Sequence, residues 1–144
     1  MKRQVQTIFC DDVRNEVGGK LSYMGVYSGT LLVTEFPIVL PKLCVALTAI
    51  TSAAEPFKKM TFRLLKDTET LAECVLGKED LARARRSIGK KPRKLSDERA
   101  QSIQTVLTFA ALKLDGPCQL AVRVNTETEE LRGLGLRIGL ATKQ

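Results

Sequence analysis

The chain contains no histidine and no tryptophan among its 144 residues, and only 5% of the residues are aromatic. The missing histidine removes the commonest general base, the commonest zinc ligand and every Ser-His or Cys-His triad. Cysteine is present at four positions, Cys10, Cys44, Cys74 and Cys118, spaced 34, 30 and 44 apart with no CxxC pair. Structural zinc sites draw their ligands from close pairs. The expectation is therefore free, mostly buried thiols in a reducing compartment, not a disulfide framework or a zinc site. A run of eighteen apolar residues is also missing, which argues against a membrane-spanning helix and a membrane partner. The opening Met1–Gln6 carries no apolar stretch of signal-peptide length, so the expected location is cytoplasmic.

What the chain does have is 44% apolar and 27% charged residues, which suits one globular domain over residues 1–144. Its formal charge is +7, from 23 Lys and Arg against 16 Asp and Glu. Between Arg83 and Lys94 lie Arg83, Arg85, Arg86, Lys90, Lys91, Arg93 and Lys94, seven cations with no acid. Setting those seven aside leaves 16 bases against 16 acids. The basic character belongs to one twelve-residue segment, whereas a general nucleic-acid surface draws cations from several parts of a fold.

Hydrophobic periodicity points to strands nearly everywhere. Val5 to Cys10, Lys20 to Ser28 and Thr30 to Phe36 read as strands. The pair Gly18-Gly19 supplies the positive φ angles of a hairpin turn or bulged corner. Leu43 to Thr51 is apolar on both faces, the mark of a central strand covered on both sides. Met60 to Leu64 and Leu71 to Leu76 form a hairpin across a polar turn. Gln119 to Asn125 and Leu134 to Leu140 form another across Thr126 to Glu130, with Leu134, Leu136, Ile138 and Leu140 expected on one face. Ile103 to Ala111 is strand-like, although Ala110-Ala111 also suits a helix. The exception is 79–99, where Leu81, Ala84, Arg85 and Ile88 fall at helical spacing, acids open the segment and Gly89 closes it. The pattern predicts a mainly β chain: an antiparallel β-sandwich, immunoglobulin-like or C2-like, with a short basic helix-and-loop insertion at 79–99. Phe9, Val45, Leu47, Phe62, Leu64, Leu107, Val122, Val124, Leu136 and Ile138 form the expected core.

Few residues are placed for chemistry. Asp11-Asp12 is the one acidic pair worth testing for a metal-dependent enzyme, yet neighbours on a strand point to opposite faces. Structural roles fit better: one carboxylate taking backbone N–H groups at a turn, the other pairing with Arg14. Gly18-Gly19-Lys20 departs from the Walker pattern, which needs glycine where Arg14 stands and Ser or Thr where Leu21 stands. No GxSxG elbow is present. The basic segment has three readings: a nucleic-acid contact, a surface for an anionic protein partner, or a solvated stretch that aids solubility. Base stacking has no platform there, since Phe62 is the only aromatic residue between Met60 and Gln104.

The run Ile8-Phe9-Cys10-Asp11-Asp12-Val13-Arg14-Asn15-Glu16-Val17-Gly18-Gly19-Lys20, followed by Gly25-Val26-Tyr27, Phe36-Pro37 and Leu40-Pro41-Lys42-Leu43, carries a resemblance. It is similar to the opening signature, FCDDxRxExGGK then GVY, of a family of small bacterial and phage-associated proteins of unknown function. The resemblance covers about the first 45 residues and implies a β-sandwich with no assigned activity. Asp11, Asp12, Arg14, Gly18, Gly19 and Lys20 are expected to fix a structural corner. The reading that follows is a non-catalytic protein-interaction module without a cofactor, working by strand edges or by the insertion, on an unknown protein partner or a second copy. The alternative is a nucleic-acid- or anion-binding accessory protein using 83–94. A metal-dependent enzyme at Asp11/Asp12 comes third.

Overall fold

The computed structural model describes residues 2–86 and 100–142. Within them the alternating apolar segments form nine strands and one helix: β1 (Gln4–Asn15), β2 (Leu21–Val26), β3 (Thr30–Val33), β4 (Ile38–Ser52), β5 (Met60–Lys66), β6 (Glu69–Leu76), α1 (Lys78–Arg86), β7 (Ala100–Leu114), β8 (Cys118–Thr126) and β9 (Glu130–Leu140). They make two sheets, ordered β2-β1-β4-β7 and β3-β9-β8-β5-β6. Every pairing is antiparallel except β3 with β9. The result is a β-sandwich on the immunoglobulin plan. The run β1-β4-β7 stands where strands A, B and E stand in that fold, and β9-β8-β5 where G, F and C stand.

The core lies between the sheets, where alternate residues of facing strands meet. Phe9, Val45, Leu47, Phe62, Leu64, Val122, Val124, Leu136 and Ile138 are buried there, as the alternation predicts. Leu107 is only half-buried, because among the described residues β7 ends its sheet and no further strand closes over the side chain. Two leucines depart from the expected register of β9. Val122 pairs with Gly133 and Leu120 with Leu136, so β9 carries one extra residue there, a β-bulge. The bulge turns Leu134 outward, to 81% exposure, and Leu140 at the strand end is 51% exposed. A second irregularity sits where β4 and β7 pass Pro41 and Ala111. Ala111 has a φ of 57°, and beyond it Ile38, Leu40, Leu112 and Leu114 turn to the core.

The helix starts as the acids predict. Asp80 Oδ2 accepts from Gly77 N at 3.2 Å, and Leu81, at 4% exposure, anchors the first turn to the core. Ile88, Gly89 and the second helical turn expected at Ser96–Glu98 lie outside the described residues.

The burial of β4 on both faces has a specific cause. The β1–β4 register puts Cys10 opposite Cys44, on the side away from Phe9 and Val45. Cys10, Cys44 and Ala46 thus belong to the outer face, yet they are 0%, 1% and 2% exposed. Gln104 Nε2, on β7, donates to the Tyr23 hydroxyl on β2 at 2.8 Å. Because β7 lies two strands from β1, that bond brings the β1–β2 hairpin back over the outer face. The hairpin covers the sheet that it extends.

Candidate functional site

The signature residues fall on this hairpin. Strand β1 runs unbroken to Asn15, so Asp11, Asp12 and Arg14 lie on a strand instead of at the expected corner. Only Gly18, Gly19 and Lys20 make the turn, with φ of 86° and 74° at the glycines and Glu16 N donating to the Lys20 carbonyl at 2.7 Å. The two carboxylates diverge. Asp11 Oδ1 accepts from the Tyr27 hydroxyl at 2.5 Å, and Asp12 Oδ1 accepts from Lys42 Nζ at 2.5 Å and from Val13 N at 2.9 Å. The pairing expected between an aspartate and Arg14 gives way, at Asp12, to Lys42. The β1–β4 ladder ends at Cys10 and Cys44, and two residues beyond it on each strand the Asp12 and Lys42 side chains meet. Among the described residues no three His, Cys, Asp or Glu side chains converge as metal ligands.

The electrostatics follow these contacts. The hydrogen bond from Lys42 holds the Asp12 carboxyl below its ordinary range, and the same bond raises Lys42. Burial, then the bond to Asp11, pushes Tyr27 up to about 12. Gly25 completes the arrangement. Its φ is 67°, and a Cβ there would lie 2.1 Å from Asp11 Oδ2, so the carboxylate occupies the space that a side chain would take.

The opposite end of the sandwich is held by Arg3, which carries no local signal in the sequence. Its guanidinium meets Glu127 through both carboxylate oxygens, at 2.7 and 3.1 Å, and Thr51 Oγ1 at 3.1 Å. It also donates to the Glu55 and Pro56 carbonyls and lies 4.7 Å from the centroid of the Phe57 ring. One side chain thereby ties β1, the loop after β4 and the β8–β9 turn together. Burial works against the Glu127 carboxylate, but Arg3 and the Lys58 N–H hold its pKa below the ordinary value. Beside this clamp lies an open cleft of about 520 Å³ bordered by Lys2, Lys58, Glu55 and Glu129. Its charges are of both signs, and its central ion pair is already satisfied.

The basic segment is only partly within the described residues. Arg83 is exposed on α1, Arg85 and Arg86 end that helix, and Lys90, Lys91, Arg93 and Lys94 lie outside.

The four sheet edges differ in kind. Strands β2 and β3 are six and four residues long, and β6 carries Glu69 and Glu73. Strand β7 is 15 residues long and pairs with β4 from Ala100 to Leu114. It has no charged residue from Ala100 to Leu112 and no proline. Among the described residues no strand pairs with its other side. Long, uncharged, open edges are what proteins ordinarily blunt with lysine, proline or bulges.

The fold class is thus an immunoglobulin-like β-sandwich whose first hairpin covers one face. The chain belongs to a family of unknown function (DUF6941), whose model matches residues 6–139. No curated protein and no solved structure matches it.

Proposed function

We propose that this protein is a non-catalytic interaction module that takes a protein partner by strand addition at β7. The observation that carries this reading is the uncharged, 15-residue edge of β7, paired on one side only among the described residues. An added strand completes the unpaired backbone N–H and C=O groups, and alternate side chains supply selectivity. The polar clusters at the two ends of the sandwich are internally paired, which fits structural service better than turnover. The N-terminal signature resembles that of bacterial and phage-associated proteins alike, and a phage association would make the partner a phage or bacterial protein.

The test compares the chain with a Thr108→Lys/Ala110→Lys variant. Both residues are exposed on β7 and face away from the core between the sheets, Thr108 Oγ1 lying 3.7 Å from Cys44 Sγ on the outer face, and lysines there oppose edge pairing. A partner captured from the source extract is purified and titrated against both proteins by calorimetry. The expected result is at least a tenfold loss of affinity with an unchanged circular dichroism spectrum. Equal affinity would overturn strand addition. Binding that depends instead on Lys90, Lys91, Arg93 and Lys94, and weakens steeply with salt, would favour the anion-binding alternative.

A further inference from the structure

The structure assigns Cys10 and Cys44 as a site of reversible oxidation, closing to a cross-strand disulfide that staples β1 to β4 beneath the β1–β2 hairpin. The two residues are direct partners in the antiparallel ladder and point to the same face. Directly opposed residues in such a ladder have Cα atoms about 4.5 or 5.5 Å apart, and disulfides bridge Cα separations of about 4.4–6.8 Å. The backbone therefore stands in disulfide range without moving. The other two cysteines do not: Cys74 is opposite Phe62 on β5, and Cys118 is opposite Ile138 on β9. Spacing in the chain conceals the pair, since 34 residues separate the two positions.

The oxidant is hydrogen peroxide. One cysteine, as thiolate, attacks a peroxide oxygen; the S–O bond forms, the O–O bond breaks, and the departing hydroxide takes up the proton the thiol gave up and leaves as water. The sulfur of the second cysteine then attacks the sulfenic sulfur. The S–S bond forms, the S–O bond breaks and a second water leaves. Two thiols have lost two electrons, and the peroxide has gained them. Burial makes the first step slow: both residues are almost wholly covered, and burial followed by the neighbouring Cys44 raises the Cys10 thiol above its ordinary value. In the folded protein access comes from lifting the hairpin, which the Tyr23–Gln104 and Lys42–Asp12 contacts hold down.

The experiment incubates the whole chain with hydrogen peroxide at neutral pH. Free thiols are then counted, and a non-reduced digest is mapped by mass spectrometry. The expected result is loss of two thiols, a bridged Cys10–Cys44 peptide, free Cys74 and Cys118, and full reversal by dithiothreitol. A Cys74→Ser/Cys118→Ser variant should close the same bridge with the same yield, and Tyr23→Phe should close it several-fold faster. Four free thiols at the end of the reaction, a bridge between any other pair, or a dead-end sulfinic acid at Cys10 or Cys44 would each overturn the assignment. So would an unchanged rate in Tyr23→Phe.

Discussion

The two ends of the sandwich are each closed by an ion pair of similar length, and they differ in what surrounds it. At one end Arg3 and Glu127 meet at 2.7 Å with side chains 9% and 20% exposed. At the other, Lys42 and Asp12 meet at 2.5 Å with side chains 47% and 36% exposed. Distance alone would rank the second pair at least as strong. Water decides otherwise: an exposed pair is screened and gains little, whereas removing one partner of a buried pair strands the other charge. The Arg3 end is a structural clamp, and the signature hairpin is a cover held by weaker contacts.

Arg3→Met should produce the largest effect, a loss of about 2–4 kcal/mol, because Glu127 keeps its burial and loses its partner. Denaturant unfolding measures it, and a loss below about 1 kcal/mol would erase the contrast between the ends. Gly25→Ala comes next. The new methyl group meets the Asp11 carboxylate at a backbone φ of 67°, which should cost about 1–3 kcal/mol and displace the hairpin.

Alkaline pH should then separate the ends without any substitution. Tyr27 and Lys42 are both raised in the fold, so the stability they supply is complete below their ordinary values of 10.0 and 10.5. It is lost as pH climbs, for Tyr27 between about 10 and about 12. Arginine does not titrate there, so the Arg3 end should hold while the hairpin loosens. The difference between absorbance titrations of the parent and of a Tyr27→Phe variant isolates the Tyr27 phenol. In acid both ends weaken, since Asp12 and Glu127 are both lowered and lose their contribution as pH falls through those depressed values. The smallest effect belongs to Lys42→Met. At neutral pH its stability should stay close to the parent, while the Asp12 carboxyl resonance titrates at higher pH than before. An unmoved Asp12 titration would remove Lys42 as its partner.

Much of the fold was legible because strand periodicity survives wherever one face is buried. The alternation at Met60 to Leu64 and Gln119 to Asn125, the glycine turn at Gly18-Gly19 and the acidic start of α1 all state their structure locally. Leu134 misled because an extra residue in β9 reverses the alternation there, a bulge that Gly133 and Gly135 allow, and Leu140 because the strand ends at it. Arg3 was invisible because its partner Glu127 lies 124 residues away. The Cys10–Cys44 pair is the last of the β1–β4 ladder and the Asp12–Lys42 contact lies just past it, so both become readable only once β1 and β4 are known to be neighbours. The open edge of β7 was hidden for the same reason, since an edge is a property of strand order.

Residue-resolved amide exchange of the isolated chain tests the central claim about β7 most directly. In an antiparallel edge strand alternate N–H groups face away from the partner strand, whereas in a central strand all are bonded. The expected result is fast and slow exchange alternating along Ala100–Leu114, against uniform protection along the Cys44–Ile50 stretch of β4 that pairs on both sides, and loss of the alternation when the partner binds. Uniformly slow exchange along β7 in the isolated monomer would mean that the edge is already occupied, and would contradict the proposal.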